Sequence, residues 1–554
     1  MKKIKIFIAT AAIGAAGFFS VGFVDSYFEL SKNLDIFATL YKEVNTYYVD
    51  ETKPGELMKT GIDAMLKSLD PYTNFIPESQ IEDFKFMTTG QYGGIGALIH
   101  KEGENVVISE PYEGFPAYTA GLIAGDILLE VDGKKVKGKS TSDISEALKG
   151  QPNTSLTVII ERPGTKGTLE KEIIRKEIKI DDVPYAGMLN ETVGYIRLTS
   201  FTQTAGQQFI SALTKLKEEN NAQAIIFDLR GNGGGLLNQS INIVNAFVPK
   251  GTMVVQTKGK ISEWDAVYAT LNSPVDTEIP VVVLVDDRSA SASEIVSGSL
   301  QDLDRAVIIG NRTFGKGLVQ QTRRLSYNAQ LKVTVAKYYI PSGRCIQKLN
   351  YSDRDEGGAA TAVADSLIVP FKTLVNKRTV YDGKGINPDI KIEEKDISNI
   401  TAILVRNFHI FDYATQYKIN HETIAGADQF SLTDEEYASF VNFLSDKDIN
   451  YETETEKQLR KLKEIATKEK YFKYAGKEYE ELEAKLVLDK SDDLMKFKDE
   501  IKEILENEII SRYYYQKGRI ISSLSNDPSI SKAIEVLENK ETYSGILKGT
   551  ISEN

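Results

Sequence analysis

The sequence predicts a multidomain α/β protein with helical ends, and three observations carry that expectation. Between residues 181 and 397, uninterrupted apolar runs such as Ala224–Phe227 and Val281–Val285 alternate with helix-forming stretches, the pattern of an α/β core. Between 87 and 180 the runs are short and separated by turns, with one helical segment among them. Residues 25–86 and 398–554 show apolar residues at helical spacing, for example Leu494, Phe497, Ile501, Ile504 and Leu505. A chain of 554 residues is long enough for several separate cores, and 41% apolar with 26% charged residues is ordinary for a globular protein.

Taken in order, residues 1–24 predict a targeting segment. Lys2, Lys3 and Lys5 precede an uncharged stretch, Ile6 to Phe23, rich in Ala and Gly. Its length lies between a signal peptide and a membrane span, so the expectations are export to the periplasm or cell envelope and, alternatively, an uncleaved inner-membrane anchor. Residues 25–86 predict amphipathic helices, broken at Lys53-Pro54-Gly55. From 87 to 180, YGGIGALIH, NVVISEPY, AGDILLEVDG and LTVIIERPG read as strands and TSDISEALKG as a helix. This mostly-β segment resembles a PDZ domain, which captures a peptide's C-terminal carboxylate while the peptide pairs with a strand edge. Gly93, Gly94, Ile95 and Gly96 would then form the carboxylate loop, and Ala97 to His100 the edge strand. Ile144 and Leu148, spaced i,i+4, would line the opposite wall, with core packing as the alternative.

Within the core, Pro280 to Gln320 carries the chemistry. The buried run Val281–Val285, a polar turn and a helix from Ala292 place Ser291 at a helix entrance. Free N–H groups and the positive dipole end there favour a nearby oxyanion. A serine needs a base to take its proton. The three histidines, His100, His409 and His421, all lie outside this stretch. Lys316, between Gly315 and Gly317, is the candidate, since burial lets a lysine act as a base. If the chain is extended there, Lys316 and Gln320 share a face, and Gln320 would hold the amine. Upstream, the run Ala224–Phe227 leads through Asp228 and Arg230 into Gly231-Asn232-Gly233-Gly234-Gly235, where glycines free backbone N–H groups to face a substrate oxygen. A phosphate cradle would need a Gly-Lys-Ser/Thr ending that this loop lacks. Asp228 and Arg230 read as an ion pair holding the loop.

SASASE around Ser291, TFGKG around Lys316 and Gln320 four residues on resemble the C-terminal processing peptidases, or tail-specific proteases, of the PDZ-containing Ser/Lys type. DLRGNGGG (228–235), YGGIGA (92–97), AGLIAGDILLEVDG (120–133), YYIPSGRCIQ (338–347) and GINPDI (385–390) extend the resemblance over residues 30–395. It implies a ClpP/crotonase-like protease core at 181–397 with an inserted PDZ domain at 87–180, and a serine-type endopeptidase with Ser291, Lys316 and Gln320 catalytic. It also implies an oxyanion hole from Ala292 and a loop amide, Gly234 or next Gly235. Gly233 stands where relatives often carry proline. Helical N-terminal regions such as 25–86 often dimerise in relatives. The mixed charges of 454–524 read as a solvated face, with a docking surface for an adaptor, another subunit or the envelope as the alternative.

The expected partners are therefore polypeptides with accessible C-terminal tails. A net charge of −12 argues against nucleic acid. One cysteine, Cys345, excludes an internal disulfide, and no metal or cofactor is expected. Two other classes fit parts of the chain: a non-catalytic peptide-binding envelope protein on the same scaffold, and a crotonase-type acyl-CoA enzyme. The intact Ser/Lys/Gln set argues against the first, and the PDZ segment against the second.

Overall fold

The computed structural model describes residues 27–393, 397–486 and 490–551. The predicted targeting segment, 1–24, lies outside them. By its contacts the chain divides into two units, Met1–Phe75 with Thr322–Val333, and Ile76–Gln321 with Thr334–Asn554.

In the first unit, helices α1 (27–47) and α2 (Pro54–Lys67) form a hairpin. Pro54 opens α2, where its missing N–H costs nothing, and Tyr41 donates to Pro54 O at 2.7 Å across the turn. The helix Ile81–Thr89 belongs to the second unit, so the helical region expected to reach residue 86 is divided.

In the second unit, strands β1 (Gln91–Gly94), β2 (Ala97–Glu102), β3 (Asn105–Pro111), β4 (Ile127–Val131), β5 (Ser155–Glu161), β6 (Thr168–Ile174) and β7 (Lys176–Lys179) build the expected mostly-β domain. One antiparallel sheet runs β2-β3-β4-β5-β6, with β2 at its edge, and β1 pairs with β7. Helix α3 (Thr141–Leu148) is started by a reciprocal cap between Ser140 and Asp143. Its apolar stripe packs on the sheet.

The core sheet has six strands, β8 (Tyr185–Met188), β9 (Val193–Arg197), β10 (Ala224–Asp228), β11 (Val281–Val285), β12 (Val307–Gly310) and β13 (Ile390–Lys391), in that order. Only the β8–β9 pair is antiparallel. Every residue of β10, β11 and β12 is buried, which is why these strands read as continuous apolar runs. Helices α4 (Ala205–Glu218), α5 (Leu237–Asn245) and α6 (Ala292–Asp302) cover one face, where Phe209, Val244 and Val296 join Phe227 and Val283 in one cluster.

The other face is covered from the far end of the chain. After α7 (His409–Asn420) and α8 (Lys498–Leu524), helices α9 (Pro528–Glu538) and α10 (Lys540–Lys548) return to the core. Ile530, Ala533, Val536 and Ile546 pack with Ile226, Val282 and Leu284. Each large aliphatic side chain buried this way contributes about 1.5–3 kcal/mol. Tyr543 Oη accepts from Val281 N at 3.0 Å, at the start of β11. The expected helical segment at 398–554 thus also supplies one layer of the core.

The same segment also holds the outer face of the mostly-β domain. His100 stacks on Phe408, with ring centroids 4.3 Å apart, and Phe411 meets its edge. Tyr118 meets Tyr515 at 5.6 Å, and Arg519 pairs with Glu110. A Cβ on Gly125 would lie 2.5 Å from Thr415 Cγ2, so the Gly125 backbone packs directly against the Thr415 side chain. Of the tyrosine run at 513–515, Tyr513 and Tyr514 donate to carbonyls of His421, Ile424 and Ala425 within the helical segment.

Candidate active site

Strands β10 and β11 are parallel neighbours in register Asp228↔Leu284, so the loops leaving their C-terminal ends lie side by side. That is where open parallel sheets build sites. The glycine loop leaves β10, and the serine segment leaves β11.

The flanking serines anchor the turn. Ser289 Oγ donates to Leu229 O at 2.9 Å, and Ser293 Oγ to Asn232 O at 2.8 Å. Between them Ser291 is half-buried at the entrance of α6, with φ 57° and ψ −111°. A residue bearing a Cβ is strained there, and such strain concentrates at functional sites.

Lys316 is brought to the same place by a residue whose role the sequence left unassigned. Glu294, three residues into the helix segment, is fully buried and accepts four hydrogen bonds. Oε2 takes Ser291 N at 2.8 Å and Lys316 N at 2.9 Å. Oε1 takes Thr313 Oγ1 at 2.6 Å and Gly315 N at 2.8 Å. Burial pushes this carboxyl up to about 7, against four donors that favour its ionised form. Serine followed three residues later by glutamate is a helix-start signature, so the sequence carried a signal for Glu294. Tyr338, buried and opposite, donates to Lys316 O at 2.5 Å and lies 3.2 Å from Ser291 O. One carboxylate and one phenol thus hold the serine and lysine backbones together. Tyr338→Phe is expected to cost about 1 kcal/mol, read as a lower urea midpoint at unchanged slope.

Gln320 is placed differently from expectation. The strand begins at Leu318, so Lys316 precedes it in a loop, and Gln320 Nε2 donates to Thr334 Oγ1 at 3.2 Å. The lysine loop is held instead by Gln347, whose Oε1 accepts Gly317 N at 2.7 Å.

The glycine loop lies against the serine turn. A Cβ on Gly234 would sit 2.7 Å from Ala290 O and 2.9 Å from Ala292 N. Gly234 and Ala292 are therefore adjacent, as expected, but the Gly234 N–H donates to Asn232 Oδ1 at 2.9 Å. This corrects Gly234 as the free loop amide. Gly234 O accepts from Phe201 N at 3.2 Å, and across a planar trans peptide the Gly235 N–H points the opposite way. A Cβ on Gly235 would stand 2.4 Å from Phe201 O, so only glycine fits. Asn232 is the buried hub: its side chain also donates to Leu198 O, and its carbonyl accepts from Ala290 N and Ser293 Oγ.

Asp228 and Arg230 form the expected ion pair, within a larger network. Asp228 is fully buried and accepts from Tyr195 Oη, Arg197 Nη1 and Arg230 Nη2, each at 2.7 Å. Burial acts to raise its carboxyl, but the Arg230 and Arg197 guanidiniums outweigh it and hold it well below the usual carboxylate range.

In the mostly-β domain, Gly93 and Gly94 lie in β1, paired with Glu177 and Lys176, instead of in a loop. Ile95, Ile144 and Leu148 are 2%, 5% and 4% exposed and belong to the domain core. The helix stripe that would line a groove wall is used to pack the sheet. Gly96 sits in the turn between β1 and β2, and its carbonyl accepts from Tyr112 N. Cys345 is half-buried, and burial raises its thiol pKa.

Comparison with known proteins locates these parts. Residues 192–352 match the model of peptidase family S41, 107–162 a PDZ domain, and 400–537 the C-terminal helical domain of probable PDZ-proteases. A carboxy-terminal-processing protease of Bartonella bacilliformis is 35% identical over 323 residues, covering 57% of this chain and 73% of that protein. The carboxy-terminal processing protease CtpA of Bacillus subtilis is 30% identical over 387 residues, covering 66% and 82%. Among solved structures, a photosystem II D1 C-terminal processing protease aligns at 28% identity and a TM-score of 0.35, over 64% of this chain and 92% of that one.

Proposed function

Since the chain belongs to peptidase family S41, as a PDZ-containing C-terminal-processing serine protease, we propose that Ser291 is its nucleophile and Lys316 its general base and acid. The observation that carries this reading is the single Glu294 oxygen that receives both the Ser291 and Lys316 N–H groups. It ties together two segments twenty-five residues apart and sets their backbones as one unit.

Neutral Lys316 takes the Ser291 hydroxyl proton as Oγ attacks the scissile carbonyl carbon. The oxyanion of the tetrahedral intermediate is received by the Gly235 and Ala292 amides, with Gly234 as the close-packed spacer between them. The lysine then gives its proton to the leaving amine, and the C–N bond breaks. Water attacks the acyl-enzyme with Lys316 again as base, releasing the new carboxylate and free Ser291. Gln320, on the strand that follows, is assigned a supporting place through Thr334.

The PDZ domain supplies tail recognition. The substrate tail pairs with the free edge of β2, and its carboxylate is taken at the turn around Gly94 to Gly96. Ile144 and Leu148 shape this site from beneath. The Lys-rich start and apolar stretch at 1–24 assign the protein to the periplasm or cell envelope, with a retained inner-membrane anchor as the alternative.

The test follows cleavage of a disordered polypeptide ending in small apolar residues, with a free or an amidated C-terminus, by the full chain and by Ser291→Ala. Cleavage by the parent alone, faster on the free tail, is the expected result. Equal rates on both tails would remove carboxylate recognition. Cleavage by both proteins would remove Ser291 as the nucleophile.

A further inference from the structure

Arg230 has a second carboxylate partner that comes from outside the peptidase core. Its Nη1 lies 2.6 Å from Asp527 Oδ2, in the turn between α8 and α9 of the C-terminal helical segment. The side chains are 19% and 16% exposed, so water screens the pair only partly. The charges balance around this point. Asp228 alone faces two guanidiniums, Arg197 and Arg230, and Asp527 is the second anion. Arg230 in turn opens the glycine loop: its N–H and side chain both bind Asp228, and Gly231 follows.

The helix that delivers Asp527 also touches the PDZ domain. Within α8, Tyr515 departs from helical geometry, with φ 53° and ψ −155°, and its ring meets Tyr118. One turn later Arg519 pairs with Glu110 of β3. Ile520 and Leu524 then pack beneath the core sheet, and Asp527 follows three residues on. A short, mostly helical element thus has the PDZ domain at one end and the glycine loop at the other.

From this placement, and resting on the reading of that loop as the oxyanion site, we infer that Asp527 is a positioning residue for peptide cleavage. It acts through Arg230 on the glycine loop, and the segment Tyr515–Asp527 transmits the seating of the PDZ domain to it. Through Asp527 the C-terminal helical segment then positions the glycine loop as well as covering the sheet.

The local chemistry offers a clean variant. Asp527 uses Oδ1 to cap α9, accepting Ser529 N at 2.8 Å and Ile530 N at 3.3 Å, and Oδ2 for Arg230. Asparagine caps a helix as well as aspartate does, but turns an N–H₂ towards the guanidinium. In the full chain, Asp527→Asn is expected to lower kcat about 10-fold, less than the loss of a whole oxyanion donor. KM should stay unchanged, and the thermal midpoint should fall only by what the lost ion pair costs, less than in Asp527→Ala. Asp527→Ala should show the same fall in kcat together with a lower thermal midpoint, because it also loses the cap. Arg519→Ala should leave cleavage of the amidated tail unchanged and bring the free-tail rate down towards it.

Wild-type kcat in Asp527→Asn overturns the positioning role. Full free-tail preference in Arg519→Ala overturns the transmission. A parent chain that cleaves neither tail overturns the peptidase reading and this inference with it, whereas an active parent with an unaffected Asp527→Asn overturns this inference alone.

Discussion

Ser291→Ala is expected to give a folded chain whose cleavage falls about 10⁶-fold, the scale seen when a serine peptidase loses its nucleophile. The backbone strain at φ 57°, ψ −111° is the same for alanine, since both residues carry a Cβ. The Ser291 N–H bond to Glu294 involves no side-chain atom of residue 291 and survives as well. Ser291→Gly separates strain from chemistry. It should be equally inactive but more stable by about 1 kcal/mol, because relief of 1–3 kcal/mol of strain exceeds the extra chain entropy that glycine loses on folding. Cleavage rates and denaturant midpoints of the three proteins check this. A Ser291→Gly chain less stable than Ser291→Ala would show that this turn is not strained.

Glu294→Gln is expected to lower kcat by at least about 10²-fold with the chain still folded. The carboxylate meets four donors with two acceptor oxygens. An amide has one oxygen, so whichever way it turns, its N–H₂ faces two donors. Either Thr313 and Gly315 or Ser291 and Lys316 lose their acceptor, at about 1–3 kcal/mol for each buried group left unpaired. The lysine and serine loops then shift, and misplacement by about 1 Å costs on the order of 10² in rate.

The same carboxyl sets opposite trends with pH. Its folded pKa, about 7, is raised above the ordinary carboxylate value. Between the two values the folded state binds more protons than the unfolded chain. Its contribution to stability is therefore fully present below the unfolded value and lost as pH rises through 7. Function goes the other way, because a protonated carboxyl presents an O–H where four donors converge. Activity should fall as pH drops below about 7 while the midpoint of unfolding moves up. A kcat profile with no inflection near 7 would refute this role for Glu294.

The parts of this molecule visible in the sequence are those fixed by local chemistry. Val281–Val285 was recognisable because a parallel strand buried on both faces must be apolar throughout. Ser291 and Lys316 stand out in the sequence by their neighbours, a helix start after a buried strand and a pair of glycines, and the structure brings both backbones to one carboxylate. Glu294 stood in the quoted segment, yet its four partners come from two places in the chain, and residue spacing does not show such convergence. Gly234 was assigned an amide that Asn232 takes, because an Asn two residues upstream can fold back on the loop. Ile144 and Leu148 have the spacing of a groove wall and of a core stripe alike, and only the packing separates the two. The longest-range facts, Arg519 on Glu110 and Tyr118 against Tyr515, join segments about four hundred residues apart, beyond the reach of any periodicity.

The return of α9 and α10 beneath the core sheet has a consequence for the order in which the molecule is made. During synthesis the serine, the lysine and the glycine loop emerge long before Ile530, Ala533, Val536 and Ile546, and until those side chains arrive one face of β10 and β11 is open to water. The core can therefore complete its fold only after the chain as far as Ile546 has left the ribosome. An enzyme that cuts other chains is thereby kept incomplete while its own is still being assembled.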